Sequence, residues 1–191
     1  MIILNKKAQI SIEYLILTGF ILLVVIVPAI IFLTSLANKS VYGSVNTQRA
    51  NSLGEGLVNN AKQMYYLGLY SKKIVEYDMP QNVKSMFMVK LDDGVEVYYY
   101  ISIIIDDGKE TQKHFFASDV PLMSDPSSDY VSSSFGTSSP YIPECSTAVC
   151  DFYYFTDSAI RPGKKKFKIE TILDTSANPS EVKASIIPIL D

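Results

Sequence analysis

The sequence is poor in the residues that most enzymes use for catalysis. It has a single histidine, His114, in an alternating stretch beside Phe115 and Phe116, a pattern typical of a sheet surface rather than of a general base. The motifs G-x-S-x-G and H-E-x-x-H and the Walker phosphate loop are absent. Paired acids occur at 92–93 and 106–107, where a following glycine explains them as turns. We therefore expect a protein that is not an enzyme, with no catalytic residue, no metal site and no cofactor.

Positive charge is also scarce. Seventeen lysine and arginine residues face 20 acidic ones, so the formal charge is −3 and the isoelectric point is near 5.2. Proteins that bind DNA or RNA usually carry a basic face, so nucleic acid is excluded as an expected partner. With 191 residues and 48% hydrophobic side chains, the chain is long enough for one folded domain and an additional segment.

Charged residues are missing from a long stretch near the N-terminus. Between residues 10 and 36 the one charged side chain is Glu13, and the apolar run over 14–37 has none. A helix of this length crosses the roughly 30 Å of a bilayer core. A lone charge at the start of such a run costs a few kcal/mol in hydrocarbon. Glu13 therefore needs a partner or a function.

The flanks of this run predict its orientation. Lys6 and Lys7 are the basic residues that precede it, so the positive-inside rule predicts a cytoplasmic N-terminus and an external chain from Asn38 onward. An ordinary secretory signal cleaved after 35–37 is the alternative interpretation. That alternative leaves the carboxylate of Glu13 unexplained.

A recognisable pattern, Q-x-S-x-E-x-x-x-L, runs directly after two lysines and an alanine. The preceding residues are Lys6, Lys7 and Ala8, and the residues of the pattern are Gln9, Ser11, Glu13 and Leu17. The pattern resembles the class III signal peptide of archaeal type IV pilin-like proteins, over about the first thirty residues. The resemblance implies cleavage between Ala8 and Gln9 by a membrane prepilin peptidase at the cytoplasmic face, with the apolar helix kept. Archaellins usually have glycine in place of Gln9, which favours an adhesive or general pilus over a swimming filament.

The resemblance also implies a role for Glu13. Cleavage would give Gln9 a free α-amino group, and the Glu13 carboxylate could neutralise that group in a neighbouring copy during assembly. The alternatives are that Glu13 is protonated or reaches the cytoplasmic interface. The implied partners are other copies or other pilins, the prepilin peptidase, the assembly platform with its ATPase, and the membrane before assembly.

The helix is expected to continue beyond the membrane run. Apolar residues recur at steps of three to five and polar residues fill the other faces. The apolar positions are Val41, Val45, Ala50, Leu53, Leu57, Ala61 and Met64. One element ending near Gly68 would be roughly 87 Å long at 1.5 Å per residue. Pro28 predicts a kink, Gly43, Gly54 and Gly56 predict softer points, and Gly68 predicts a C-cap.

After residue 69 the pattern changes to that of strands. Alternating runs separated by two Asp-Gly turns predict an antiparallel meander over 83–117, with further strands at 166–173 and 182–190 and a possible edge strand at 72–79. The side chains expected to face inward from the first of these further strands are Phe167, Ile169 and Leu173. The predicted fold class is α+β: a long N-terminal helix followed by a small antiparallel sheet or sandwich head, like that of type IV pilins.

The serine-rich segment 118–143 lacks a period and predicts a loop. It could be an outward contact, a glycosylated surface or a solvated connection. Cys145 and Cys150 follow on the external side, which favours a disulfide. Free or intermolecularly paired thiols are the alternative, and a metal site is disfavoured because no other ligands cluster nearby. Asn38 lies in a weak N-glycosylation sequon, although helices would crowd it in a filament.

These observations divide the chain into a leader over 1–8, a helix over 9–68 and an external β-rich head over 69–191. Within the helix, 9–37 would span the membrane or form the filament core, and 38–68 would be amphipathic. The expected function is that of a major or minor pilin in a type IV pilus-like surface filament, used for adhesion. The alternative is an external binding or receptor domain that uses the same signal and stays in the membrane as a single copy.

Overall fold

The structure is a computed structural model that describes residues 6–108, 110–123, 131–136, 145, 149–175 and 180–189. The chain divides into two units, 1–45 and 46–191. The helix α2, Val27–Leu67, begins in the first unit and ends in the second.

The N-terminal unit is helical. The helix α1 covers Lys6–Ile21, a π-helical turn covers Leu22–Ile26, and α2 follows directly. In the wide turn the Val27 N–H donates to the carbonyl of Leu22, five residues earlier. Pro28 lacks an N–H, and its ring conflicts with the carbonyl four residues before it. Near the kink predicted at Pro28, the structure has a π-helical turn that ends two residues before the proline.

The second unit, which we call the head, contains two β-sheets. The strands in the described residues are β1 Lys72–Met79, β2 Val83–Asp92, β3 Val97–Asp106, β4 Thr111–Ser118, β5 Leu122–Met123, β6 Val131–Gly136, β7 Val149–Phe155, β8 Gly163–Asp174 and β9 Glu181–Ile189, and a short helix, α3, covers Asp157–Ile160. Sheet A has the order β1-β8-β9-β5, and sheet B has the order β4-β3-β2-β7-β6. Paired strands are antiparallel except β5 with β9. The α+β prediction is confirmed.

The strands predicted from alternation are present. The meander over 83–117 is β2, β3 and β4, and its two turns contain Gly94 and Gly108 at φ angles of 84° and 80°. The possible edge strand is β1, at the edge of sheet A. In β8 the side chains of Phe167 and Ile169 are buried as predicted. Leu173 is 41% exposed, so the prediction that it faces inward is wrong; it lies next to the last residue of β8, where cover ends.

The loop predicted over 118–143 is wrong in part. It contains β5 and β6, and β6 pairs with β7 from Val131 opposite Phe155 to Gly136 opposite Cys150. The strand β7 was itself missed. An edge strand such as β6 is held by backbone hydrogen bonds to one neighbour, so a serine-rich sequence without apolar alternation can form it. Residues 124–130 and 137–143 of the predicted loop lie outside the described part.

The core of the head lies where the second part of α2 meets both sheets. The buried positions on the helix follow the predicted spacing from Ala50 onward and are Ala50, Leu53, Leu57, Val58, Ala61 and Met64. They belong to one cluster with buried side chains of sheet B, such as Met86 and Ile101, and of sheet A, such as Phe167 and Ile186. Val45 is exposed, and the side chain of Val41 is outside the described part.

Two glycines let α2 approach both sheets. A side chain at Gly54 would collide with the ring of Phe116 on β4, and one at Gly56 would collide with the ring of Tyr77 on β1. Asn60 fixes the second contact, because its Nδ2 donates to the Tyr77 hydroxyl at 2.9 Å. The sequence predicts softer points of the helix at these glycines, and the structure shows in addition that both are close packing contacts. The strands β1 and β4 are edge strands of sheets A and B, so through these two contacts α2 packs against one edge strand of each sheet.

Candidate processing and assembly site

Glu13 and Leu17 of the predicted signal lie one helical turn apart on α1, and both are exposed. Among the described residues, one helix is long and apolar enough to cross a membrane, over Ile12–Ser35. Glu13 is the second residue of that span. Its carboxylate therefore lies near one end of the apolar run rather than at its centre, where the cost of a charge is greatest.

The residues that flank Glu13 on its N-terminal side belong to α1 by their backbone. They are Lys6, Lys7, Ala8, Gln9 and Ser11, and their side chains lie outside the described part. Gln9 precedes Glu13 by four residues, about one turn of the helix. The side chain of Asn38 also lies outside the described part.

The span Ile12–Ser35 is exposed in every direction. None of it is buried within the chain, and large apolar side chains occur at consecutive positions along it, for example from Leu22 to Val27. Thr18 and Thr34 donate their hydroxyls to the carbonyls of Tyr14 and Ile30, so these polar groups are satisfied within the helix. A surface that is apolar all round needs cover from lipid or from several other helices.

The acids proposed as turn residues do serve the turns. The Oδ1 atom of Asp93 accepts hydrogen bonds from the N–H groups of Val95 and Glu96, both at 2.8 Å. These bonds hold the pKa of Asp93 below its ordinary value. Among the described residues, no group of three or more histidine, cysteine, aspartate or glutamate side chains is arranged to hold a metal ion.

His114 differs from the surface histidine predicted. It lies opposite Ile103 of β3 and on the face of sheet B that meets α2. Its neighbours along this face are Gln112, whose amide oxygen accepts a hydrogen bond from the Thr47 hydroxyl, and Phe116, whose ring packs against Gly54. Its Nε2 atom is buried without a hydrogen-bond partner. Burial lowers the pKa of this imidazole. Its position on the strand thus places it in the packing between β4 and α2.

Cys145 and Cys150 are joined by a disulfide, with their Cα atoms 5.7 Å apart. Both are buried in a second apolar cluster on the face of sheet B that points away from α2. The other buried members of this cluster are Phe87, Val89, Leu91, Ile104 and Phe152. Sequence reasoning missed this cluster, although Phe152 and Tyr154 alternate along β7 and could have indicated it.

The head also has an open cleft of about 450 Å³ between α2 and β1. Its polar lining combines Arg49 and Ser52 of α2 with Glu76 and Asp78 of β1. Glu76 already pairs with Lys164 at 3.2 Å. The cleft is open to solvent, and apolar atoms line it about as much as polar atoms do.

Residues 6–32 match the family model for the class III signal peptide. No curated protein and no solved structure matches the chain. The matched segment and the apolar helix over 12–35 are consistent with a type IV pilin-like protein. They support a prepilin-peptidase substrate of that kind, made as a membrane-anchored precursor that is secreted, and a structural rather than an enzymatic protein.

Proposed function

We propose that the chain is cleaved between Ala8 and Gln9 and becomes a subunit of an archaeal type IV pilus-like surface filament that serves adhesion. The observation that carries the proposal is the span Ile12–Ser35, exposed on all sides and marked by a class III signal. A subunit with such a helix is stable in the membrane before assembly and among the helices of other subunits afterwards. The partners we propose are other copies or other pilins, the prepilin peptidase, and the assembly platform with its ATPase.

Cleavage changes the charge at the start of the helix. Lys6 and Lys7 leave with the leader, and the new N-terminus at Gln9 carries a free ammonium group. We propose that this group pairs with Glu13 of a neighbouring subunit as both enter the helix bundle. Burying a charge pair does not by itself stabilise an assembly, but removing one partner leaves the other charge uncompensated, at a cost of about 3–5 kcal/mol. The pair would thus favour the assembled state in which both charges are matched.

N-terminal sequencing of the protein recovered from cells tests the cleavage site. We expect the mature chain to begin at Gln9. A mature end near Asn38 would identify an ordinary secretory signal, remove the span from the mature protein, and overturn the proposed function.

The substitution Glu13→Gln tests the role of the carboxylate. We expect normal cleavage, a normally folded head and more protein retained in the membrane, with few or no filaments by electron microscopy. Glu110→Gln is the matched control, because Glu110 is exposed in the turn between β3 and β4 and makes the same charge change. Normal cleavage with normal filaments in Glu13→Gln would show that the carboxylate has no role in assembly.

The cleft between α2 and β1 is the observation that favours a second candidate function, a single-copy external receptor or solute-binding domain. The two functions differ in what cells display. Electron microscopy of cells with and without the protein distinguishes them, because only a filament subunit changes the number of surface filaments.

A further inference from the structure

The segment that leads from α2 into β1 is unusually apolar for an exposed surface. Five large apolar side chains are exposed within nine residues, and we call them the junction patch: Tyr66, Leu67, Leu69, Tyr70 and Ile74. Single exposed apolar residues are common on folded proteins, whereas several in one short segment indicate a contact surface.

The backbone holds part of this patch outward. Gly68 ends α2 at φ 94°, and Tyr70 adopts φ 65°, in the left-handed region that side chains rarely occupy. The Tyr70 N–H donates to the Thr171 carbonyl at 3.0 Å, and the Thr171 N–H donates to the Ser71 carbonyl at 2.9 Å. Tyr70 is nevertheless 82% exposed. A strained backbone conformation that is held by hydrogen bonds, and that carries a largely exposed ring, points to a use outside the chain.

A second exposed apolar group lies at the turn between β2 and β3. Val95 is 90% exposed and Val97 is exposed beside it; we call this pair the tip patch. The turn is rigid, because Asp93 accepts from the N–H groups of Val95 and Glu96, and Asp92 accepts from that of Gly94 at 3.0 Å. The tip patch is thus a preorganised projection.

The charges around the two patches are opposite. Lys72 and Lys73 are exposed within the junction segment, and no acid occurs between residues 66 and 74; Glu170 lies opposite Lys72 on β8 and is paired with Lys168. Asp92, Asp93 and Glu96 surround the tip patch, and no base occurs between residues 91 and 97. Contact between two junction patches, or between two tip patches, would bring like charges together.

We infer that the tip patch of one copy docks on the junction patch of a second copy, apolar side chains against apolar side chains and the tip carboxylates against Lys72 and Lys73. The inference rests on the proposed function, since it names a contact between heads of neighbouring subunits. Two different patches that fit each other make a heterologous contact, which extends an open assembly instead of closing a dimer. Val95 and Tyr70 are both exposed, so the two patches do not cover each other within one chain.

Cysteine cross-linking in the full-length chain tests the contact. Ile74→Cys and Val95→Cys are produced singly and together, and membranes and surface filaments are oxidised before electrophoresis without reductant. We expect a covalent dimer when the two single variants are mixed, a ladder from the double variant, and neither from a single variant alone. Phe115→Cys is the control, because Phe115 is exposed on β4 away from both patches.

The possible results separate this inference from the proposed function. Filaments without the cross-link would overturn the contact and leave the proposed function standing. Absence of filaments from the unsubstituted protein would overturn the proposed function, while the cross-link in membranes would still decide the contact. A bond between two Ile74→Cys chains, or to a different protein, would assign the junction patch to another partner and overturn the inference.

Charge reversal provides a second test that does not depend on oxidation. Lys73→Glu and Glu96→Lys should each weaken assembly by about threefold to tenfold, the range for one or two exposed ion pairs turned repulsive. The two changes in one chain should restore it. Lys73 donates to Gln63 and Glu96 accepts from Tyr98 within the chain, so thermal unfolding of each variant is measured as well. Loss without restoration in chains of normal stability would overturn the contact.

Discussion

Two parts of the helical region use the same secondary structure in opposite ways. In the N-terminal unit Leu23 is 69% exposed, whereas in the head Leu57 is fully buried against both sheets. The sequence around Leu57 is amphipathic, so one stripe is covered by the head and the other faces water. The sequence around Leu23 is apolar on every side. The difference teaches that the head supplies its own core, while the span over 12–35 depends on surroundings that a single copy does not provide.

The largest expected effect comes from separating the two units. A chain limited to 46–191 should lose membrane association and filament assembly completely, because the span over 12–35 is gone. Its head should still unfold cooperatively, since among the described side chains the core begins at Ala50. Circular dichroism during heating compares this chain with the full-length protein in detergent. A fragment with no cooperative transition would show that the comparison is wrong and that the first unit stabilises the head.

A matched pair of leucine substitutions sharpens the comparison. Leu57→Ala should lower the free energy of unfolding of the head by about 2–5 kcal/mol, since it removes buried atoms and leaves a cavity. Leu23→Ala makes the same chemical change at an exposed site and should leave that free energy unchanged. Denaturant unfolding followed by near-ultraviolet circular dichroism measures both. Equal losses in the two variants would contradict the assignment of Leu23 to the outside of the head.

The sequence predicts the elements whose signals are local. Asp-Gly turns between alternating runs are sufficient for β2, β3 and β4, and the spacing from Ala50 to Met64 is sufficient for the buried face of α2. It does not predict β6, because a serine-rich edge strand depends on β7 as a neighbour and carries no apolar alternation of its own. The same limit applies to Gly54 and Gly56. Their role depends on which aromatic rings reach the helix from distant strands, and helix periodicity does not contain that information.

The candidate site, too, has a part that the sequence predicts and a part that it does not. The class III signal was predicted from a short pattern over Gln9 to Leu17, because a peptidase recognises a contiguous stretch of chain. The junction and tip patches were not predicted. Their residues resemble ordinary strand and helix residues in the sequence, and only the folded structure shows that Tyr70 and Val95 have no cover.

Within the head, the disulfide is expected to contribute less than a core leucine. Replacing Cys145 and Cys150 together by alanine should lower the free energy of unfolding by about 2 kcal/mol in the chain-entropy model, since the loop between them is short. The buried cluster around Phe87 and Phe152 would also lose the cover of the bond. Thermal unfolding with and without reductant should show a decrease for the unsubstituted protein and none for the double variant. Two thiols that are alkylated readily in the native, unreduced protein would refute the pairing.

Glycine substitutions extend the comparison to positions without side chains. Gly54→Ala should destabilise the head by about 1–2 kcal/mol, because the collision with Phe116 outweighs the gain in helix propensity. Gly43→Ala lies before the head and meets no atom within 4 Å, so it should leave the unfolding of the head unchanged. Thermal unfolding of the two variants measures the contrast. A Gly54→Ala protein as stable as the parent would show that β4 moves freely with respect to α2.

The smallest expected effect concerns pH and the buried imidazole of His114. Burial lowers its pKa in the folded head, and burial is the one cause of that shift, with no charged group contributing. The unfolded chain therefore takes up a proton more readily, so stability is fully present above the unfolded pKa of about 6.5 and is lost as the pH falls below it. The unfolding midpoint should be lower at about pH 5.5 than at about pH 7.5, by less than about 4 °C. Asp93 and Asp106 stay charged across this window because hydrogen bonds hold their pKa values below the ordinary range, so they do not contribute. His114→Gln keeps a polar side chain that does not titrate and should remove the difference between the two pH values. If the variant retains the full difference between the two pH values, the pH dependence originates in other groups and the titration of His114 does not affect the stability of the head.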